Sequence, residues 1–203
     1  CEYDTRRLVR MSTEMVDGVL QGGIYPFSKT ADDAQQLLLG PITCAVSPRG
    51  ELYIGGIRDS GWGGANNLGT LLRLRYQADQ IPCGIAEINI LKQGFRLHFT
   101  KPVNRSKAEM VGNYLIESYT RLSTPQYGGT DARRRKESVA EIRVAEDGLS
   151  VDLQLNGELR KGFVYEFTLE NLTADAAIFF PSAGYYTANR IPVEGATTNL
   201  QSP

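Results

Sequence analysis

The sequence is short of the side chains on which most enzymatic chemistry relies. Among 203 residues there is one histidine, His98, and there are three cysteines, Cys1, Cys44 and Cys83. No two cysteines stand at Cys-x-x-Cys spacing, which excludes a c-type haem attachment site and a clustered zinc site within this stretch. A hydrolytic triad would have to centre on His98, and nothing beside it resembles a nucleophile elbow. There is no surplus of either charge: 22 Lys+Arg against 23 Asp+Glu leave a formal net charge of −1. That balance speaks against a nucleic-acid binder, which shows a basic excess or stripe. No apolar run approaches the ~20 residues that a membrane-spanning helix needs. What is plentiful is glycine (21) and tyrosine (10), with apolar residues at 41%. These point to a globular chain rich in turns and strands.

The first residue is Cys1 and no charged-then-apolar signal peptide precedes it. This reads as processing, or as a piece of a longer protein, since Glu2-Tyr3-Asp4-Thr5 runs directly into patterned sequence. A lipidated first cysteine is the alternative.

Residues 6–27 read as short extended segments around two turn signals, Asp17-Gly18 and Gly22-Gly23. Residues 30–36 are a polar loop or one helical turn, with Asp32 and Asp33 as solvated carboxylates or a cation site. From Gly40 the pattern sharpens into a strand at 42–46, the turn Ser47-Pro48-Arg49-Gly50 and a strand at 51–56. A Gly-rich loop over 57–68 and a strand at 69–76 follow. Strand, tight turn, strand, long loop, strand is the layout of a β-propeller blade. Cys44 lies in an apolar run and reads as a small buried hydrophobe, with a Cys44–Cys83 disulfide as the alternative.

Gln77–Pro82 is a polar linker. Beyond it strands are expected at 85–91, 95–100, 114–120, 140–144, 151–155 and 163–169. A short helix from Arg105 is capped by Asn104, and Glu146-Asp147-Gly148 is a hairpin turn. Residues 122–138 read as a polar, Arg-rich excursion whose Arg133-Arg134-Arg135-Lys136 run is a solvated insertion or an anion- or partner-docking patch. Alternation puts His98 with Arg96 and Thr100 on a solvated strand face. The expected fold is all-β: a terminal propeller-blade segment over 1–82, an Ig-like or fibronectin-III-like sandwich over 83–192 and a frayed tail over 193–203. A blade does not stand alone, so the first segment is expected to dock on upstream blades of the same parent chain.

Several runs resemble a family of large secreted bacterial proteins. They include Val16-Asp17-Gly18-Val19-Leu20-Gln21-Gly22-Gly23, Ser47 to Gly56, Gly61-Trp62-Gly63, Gly69 to Tyr76, Gly94 to Val103 and Tyr185 to Pro192. That family carries a six-bladed propeller similar to quinoprotein glucose/sorbosone dehydrogenases and is haem-binding or cytochrome-c-linked. The resemblance implies a periplasmic or extracellular location. It also implies a parent that uses pyrroloquinoline quinone and calcium on a sugar and passes electrons to haem c. It implies no cofactor within this segment, which would be accessory and not itself catalytic. The candidate site is the 57–68 loop. There Arg58 could pair with an anionic cofactor, Asp59 could ligate calcium or a sugar hydroxyl, and Trp62 could stack on a sugar or quinone. Packing of Trp62 on a neighbouring blade, with a local Arg58–Asp59 ion pair, explains the same residues without a ligand. A non-catalytic glycan- or protein-binding scaffold is the alternative for the whole chain.

Overall fold

Asp17 and Gly18 both adopt positive φ (46° and 77°), the requirement of the two-residue turn that matches the twist of paired strands. They join β1 (Val9–Val16) to β2 (Val19–Pro26). The computed structural model describes residues 1–3, 5–28, 38, 40–58, 68–125, 128–174 and 177–193, with backbone alone for Arg58 and Leu68. Within these, the further strands are β3 (Pro41–Val46), β4 (Leu52–Arg58), β5 (Leu68–Leu74), β6 (Ile85–Leu91) and β7 (Gly94–Phe99). They continue with β8 (Tyr114–Arg121), β9 (Asp131–Glu137), β10 (Val139–Val144), β11 (Ser150–Leu155), β12 (Phe163–Leu169) and β13 (Ala183–Ala188). The one α-helical turn, Arg105–Ala108, is capped by Asn104, whose side chain accepts from the Lys107 amide at 3.1 Å. The protein is all-β, with three antiparallel sheets ordered β1-β2-β13-β12-β8-β9, β10-β11-β7-β6 and β3-β4-β5.

The chain divides into two units, Cys1–Arg10 with Pro26–Ile81, and Met11–Tyr25 with Pro82–Pro203. The sequence reading placed all of 1–82 in one segment. The structure corrects this: Met11–Tyr25 belongs to the second unit. Tyr185, Tyr186 and Thr187 of β13 pair with Ile24, Gly23 and Gly22 of β2, so the hairpin extends the six-stranded sheet. Gly22-Gly23 is therefore strand and not a turn. A Cβ at Gly23 would collide with the Tyr25 hydroxyl, which folds back over it on the same face.

In the second unit the six-stranded and four-stranded sheets share one core. Phe95 of β7 sits among Tyr165 and Phe167 of β12 and Tyr186 of β13, with ring centroids 4.9, 5.0 and 5.5 Å away. Leu97, Val151, Leu153 and Ile116 are buried in the same cluster. Period-two alternation in β11 and β12 produces this: Val151, Leu153 and Leu155, then Phe163, Tyr165, Phe167 and Leu169, point inward. The two inner faces make a β-sandwich.

The first unit holds the three-stranded sheet. Ser47 accepts from the Arg49 and Glu51 amides in the turn between β3 and β4, and Gly50 takes φ 77°. Ile54 lies opposite Cys44 and Leu72, and Leu52 opposite Val46 and Leu74. Apolar side chains on both faces are exposed: Val46 (70%) and Leu74 (40%) on one, Leu71 (74%) on the other. The expectation that Cys44 is buried is corrected. It is exposed in a strand whose other residues after Pro41 are exposed too. Cys44 and Cys83 are free thiols, and Cys83 is buried with its Sγ 3.3 Å from the Lys101 carbonyl.

Strand β6 ends the four-stranded sheet, and its outward amides need acceptors. The hairpin supplies them. The Tyr25 hydroxyl accepts from the Ile88 amide at 2.7 Å, and Glu14 Oε1 accepts from the Ile90 amide at 2.8 Å. Glu14 is only 4% exposed and also accepts from the Tyr186 hydroxyl at 2.7 Å. Gln21 donates to that hydroxyl at 2.8 Å and to the Arg190 carbonyl at 3.0 Å. Burial pushes the Glu14 carboxyl above its ordinary value, and the bonds from Tyr186 and Ile90 oppose the rise. A raised native value means the folded chain holds this proton more tightly than the unfolded chain. The stabilising contribution is thus complete below the unfolded value and is lost as pH rises through the folded one. Replacing Glu14→Gln keeps a neutral acceptor. Urea midpoints between about pH 4 and pH 7 should vary less with pH in this variant than in the wild type. Glu14→Ala leaves the Ile90 amide and the Tyr186 hydroxyl proton without an acceptor and should cost about 1–3 kcal/mol in the same titration.

Candidate functional site

The loop singled out from the sequence is framed by β4 and β5, whose last pair is Arg58 with Leu68. Arg58 ends β4, and its side chain is outside what is described, as are Asp59 and Trp62. Residues 59–67, which connect the two strands, lie outside the described residues. Asp32 and Asp33 also lie outside the described residues.

His98 lies on the outer face of the four-stranded sheet, in β7 opposite Glu87 and Ser150. Burial pushes its imidazole below the ordinary value and the nearby Glu87 carboxylate opposes this, so it stands neutral at pH 7. Its neighbours are structural. Arg96 forms a two-point pair with Asp152 at 2.6 and 2.7 Å. The Thr100 hydroxyl donates to the Pro82 carbonyl at 2.7 Å and accepts from the Gly84 amide at 3.0 Å. Among the described residues no hydrogen bond links His98 to a nucleophilic side chain, the Ser150 hydroxyl across the strand pair included.

The Arg-rich run is exposed as expected, but it is a strand and not part of an excursion over 122–138. Asp131–Glu137 is β9, paired with β8. A register shift opposite Tyr119, with Arg133 at φ 56°, makes a bulge. It sets the Arg134 guanidinium over the Tyr119 ring, 4.1 Å from its centre. There Arg134 binds Glu117 (2.6 Å), Asp131 (2.7 Å) and Glu166 (2.8 Å). Glu117 and Glu166 are direct cross-strand partners. Two like charges so placed repel, and Arg134 neutralises them. These three carboxylates hold its guanidinium far above the ordinary value.

Arg135 and Arg160 converge on Glu137, whose side chain is 5% exposed. Arg135 Nε lies 2.9 Å and Arg160 Nη2 3.4 Å from Glu137 Oε1. Ser118, fully buried, donates to Glu137 and accepts from Arg160. Arg160 also stacks on Phe163 at 3.8 Å. Hydrogen bonding to Glu137 raises the Arg135 guanidinium above its ordinary value. These groups wall an open polar cleft of about 480 Å³ with Lys136, Asn156 and Glu158. The cleft could hold a polar or charged ligand: Arg160 Nη2 is engaged by Ser118 and Glu137, while the buried Arg160 Nε has no hydrogen-bond partner. Sequence reading missed it because Arg135 and Glu137 on β9 meet Arg160, which precedes β12, only through the pairing of both strands with β8. Among the described residues, no three His, Cys, Asp or Glu side chains converge where a metal ion could sit. No described helix is long and apolar enough to cross a membrane.

No protein-family model matches the chain, and no curated protein matches it. Among solved structures it is similar to parts of the bacterial S-layer protein SbsC. The structure of rSbsC(31-844) is 24% identical at a TM-score of 0.41, covering 56% of this chain and 14% of that one. Domains 1-6 of SbsC are 22% identical at 0.42, covering 57% and 14%. The N-terminal part of SbsC is 22% identical at 0.40, covering 57% and 26%. The chain thus spans 14 to 26% of those chains' length, and a likeness of this size carries no functional argument.

The Glu137 cluster should behave as one unit. Glu137→Ala leaves two guanidinium groups together and should destabilise the fold by about 2 kcal/mol, less than the 3–5 of a fully buried pair. Adding Arg160→Met should return part of that loss in a double-mutant cycle of urea unfolding. Strict additivity would mean that the two residues act separately.

Proposed function

We propose that this chain is the C-terminal part of a secreted propeller protein related to sugar dehydrogenases that use pyrroloquinoline quinone and are coupled to cytochrome c. In this reading the first unit is a propeller blade and the second an Ig-like accessory domain. The observation that carries the reading is the three-stranded sheet. Val46 and Leu74 on one face and Leu71 on the other lie open to water. A sheet with apolar residues on both faces needs a layer on each side, as a blade has within a propeller. The sandwich, by contrast, buries its own core.

Quinone, calcium and haem would be held by other parts of the parent, with the 57–68 loop reaching toward them and a sugar as substrate. The location would be periplasmic or extracellular. The Ig-like domain would orient and stabilise the propeller and would not perform chemistry. The alternative is a glycan- or protein-binding scaffold, which the polar cleft at Glu137 favours.

Limited proteolysis with mass spectrometry tests the division of labour. In the 203-residue chain, cuts are expected between residues 26 and 81, with 11–25 co-eluting with 82–193 under native conditions. A protease-resistant 26–81 would contradict an orphan blade. In the parent protein, supplied with quinone and calcium, an aldose should be oxidised with an artificial electron acceptor. Absence of turnover in the loaded parent, together with glycan binding, would favour the scaffold.

A further inference from the structure

The two sheets of the sandwich have four edge strands, β1 and β9, β10 and β6. Three of them carry devices that block further pairing. β9 is bulged and densely charged, with Arg133 at positive φ. β10 is short, with a register shift between Val139 and Glu141 and with Glu141 and Arg143 exposed. β6 has its Ile88 and Ile90 amides taken by Tyr25 and Glu14. Among the described residues, β1 has no bulge and no acceptor bonded to its outward amides, and it is eight residues long and without proline.

The register of the hairpin states which groups β1 leaves free. The turn at Asp17-Gly18 closes the ladder at Val16 and Val19, and the Phe27 amide donates to the Leu8 carbonyl at 2.9 Å, in the same register. Even-numbered residues of β1 thus bond to β2, and the backbone groups of Met11, Thr13 and Met15 face away from it. Their side chains lie on the outer face. Met11 is 70% and Met15 57% exposed, beside Leu20 at 60% and Ile24 at 44% on β2. This is an open edge flanked by an apolar strip.

The occupant is written in the strand itself. Met11-Ser12-Thr13-Glu14-Met15 is symmetric about Thr13 in the pattern of outward residues: Met, Thr, Met. An antiparallel copy of the same strand, related by a two-fold axis through Thr13, sets Met11 opposite the second copy's Met15, Thr13 opposite Thr13, and Met15 opposite Met11. All three pairs fall at positions whose amides and carbonyls face the edge, making about six hydrogen bonds. On one face the four methionines form a continuous strip with Leu20 and Ile24 of both copies. We infer that β1 is a self-complementary dimerisation edge, which joins two six-stranded sheets into one continuous sheet through an isologous contact. The inference is independent of the propeller reading.

Sedimentation velocity over a concentration series of the 203-residue chain tests it. A reversible dimer is expected. Thr13→Pro removes an edge amide that the β1–β2 ladder does not use, and Met15→Lys places a charge in the strip. Each should raise the dissociation constant at least tenfold with an unchanged far-UV spectrum. If Thr13→Pro fails to fold, Met15→Lys alone decides the matter. The register has its own test. In a background with Cys1→Ser and Cys44→Ser, Thr13→Cys should form an intermolecular disulfide, since residues paired on the two-fold lie about 5.5 Å apart. Ser12→Cys, off the axis, should not. A wild-type monomer throughout, a dimer indifferent to Met15→Lys, or equal cross-linking at 12 and 13 would overturn the assignment.

Discussion

The sandwich depends on how the amides at the edge of β6 are satisfied. A strand at the end of a sheet, packed against protein, must find acceptors or lose about 1–3 kcal/mol for each buried donor left over. Here they come from a hairpin distant in sequence, and one acceptor is a carboxylate taken almost wholly out of water. That choice sets much else. Glu14 in the interior requires a second donor, which Tyr186 provides. The Tyr186 hydroxyl in turn requires a donor, which Gln21 provides, and Gln21 Oε1 accepts from the Arg190 amide at 2.6 Å. A closed chain of bonds thus ties β1, β2, β6, β13 and the segment after β13. Such a chain specifies one arrangement strongly, because any slip leaves a charge or an amide unpaired in a low-dielectric setting. It is also what draws Met11–Tyr25 into the second unit.

The period-two segments were legible because one face of each is buried. In Val151–Leu155 and Phe163–Leu169 alternation alone states which side chains point inward. The Asn104 cap and the Glu146-Asp147-Gly148 turn were equally direct, since each rests on a local bond. Gly148 takes φ 68° and Asp147 accepts from the Leu149 amide at 2.9 Å. The failures share a cause. Gly22-Gly23 looks like a turn locally, and only the Tyr25 ring and the backbone of β13 explain why small residues sit inside a strand. β13 itself, Ala183–Ala188, was not among the expected strands, and its residues stood out only within the Tyr185 to Pro192 run of the resemblance. The Arg-rich run carries no apolar alternation, so nothing local marks β9. Its strand is held by pairing with β8 and by three carboxylates, two of them on strands more than ten residues away. Of the candidate site, only its frame is visible: Arg58 stands at the end of β4, while Asp59 and Trp62 lie outside the described residues.

Charge in this protein is used for structure. Glu117 and Glu166 face each other across adjacent strands, an arrangement that costs energy unless a cation lies between them, and the bulge at Arg133 delivers one. Glu137 repeats the theme half a strand away, with Arg135 and Arg160 as its partners. Around Arg134 each charge is matched, whereas at Glu137 the charges are matched but the buried Arg160 Nε keeps no hydrogen-bond partner.

The two units meet the problem of exposed sheet differently, and the contrast bears on where function resides. The sandwich covers its inner faces completely and blunts three of its four edges by bulge, charge or capping. Among the described residues of the three-stranded sheet, Ile54 is buried, while Val46 and Leu74 on its face and Leu71 on the other stand exposed. Exposed apolar area of that kind is a liability in an isolated chain, because it promotes association without register. Covered by further layers it becomes the ordinary interior of a larger β-structure. The demand for cover comes from the sheet that presents the 57–68 loop, and the self-sufficient part presents none of the candidate residues.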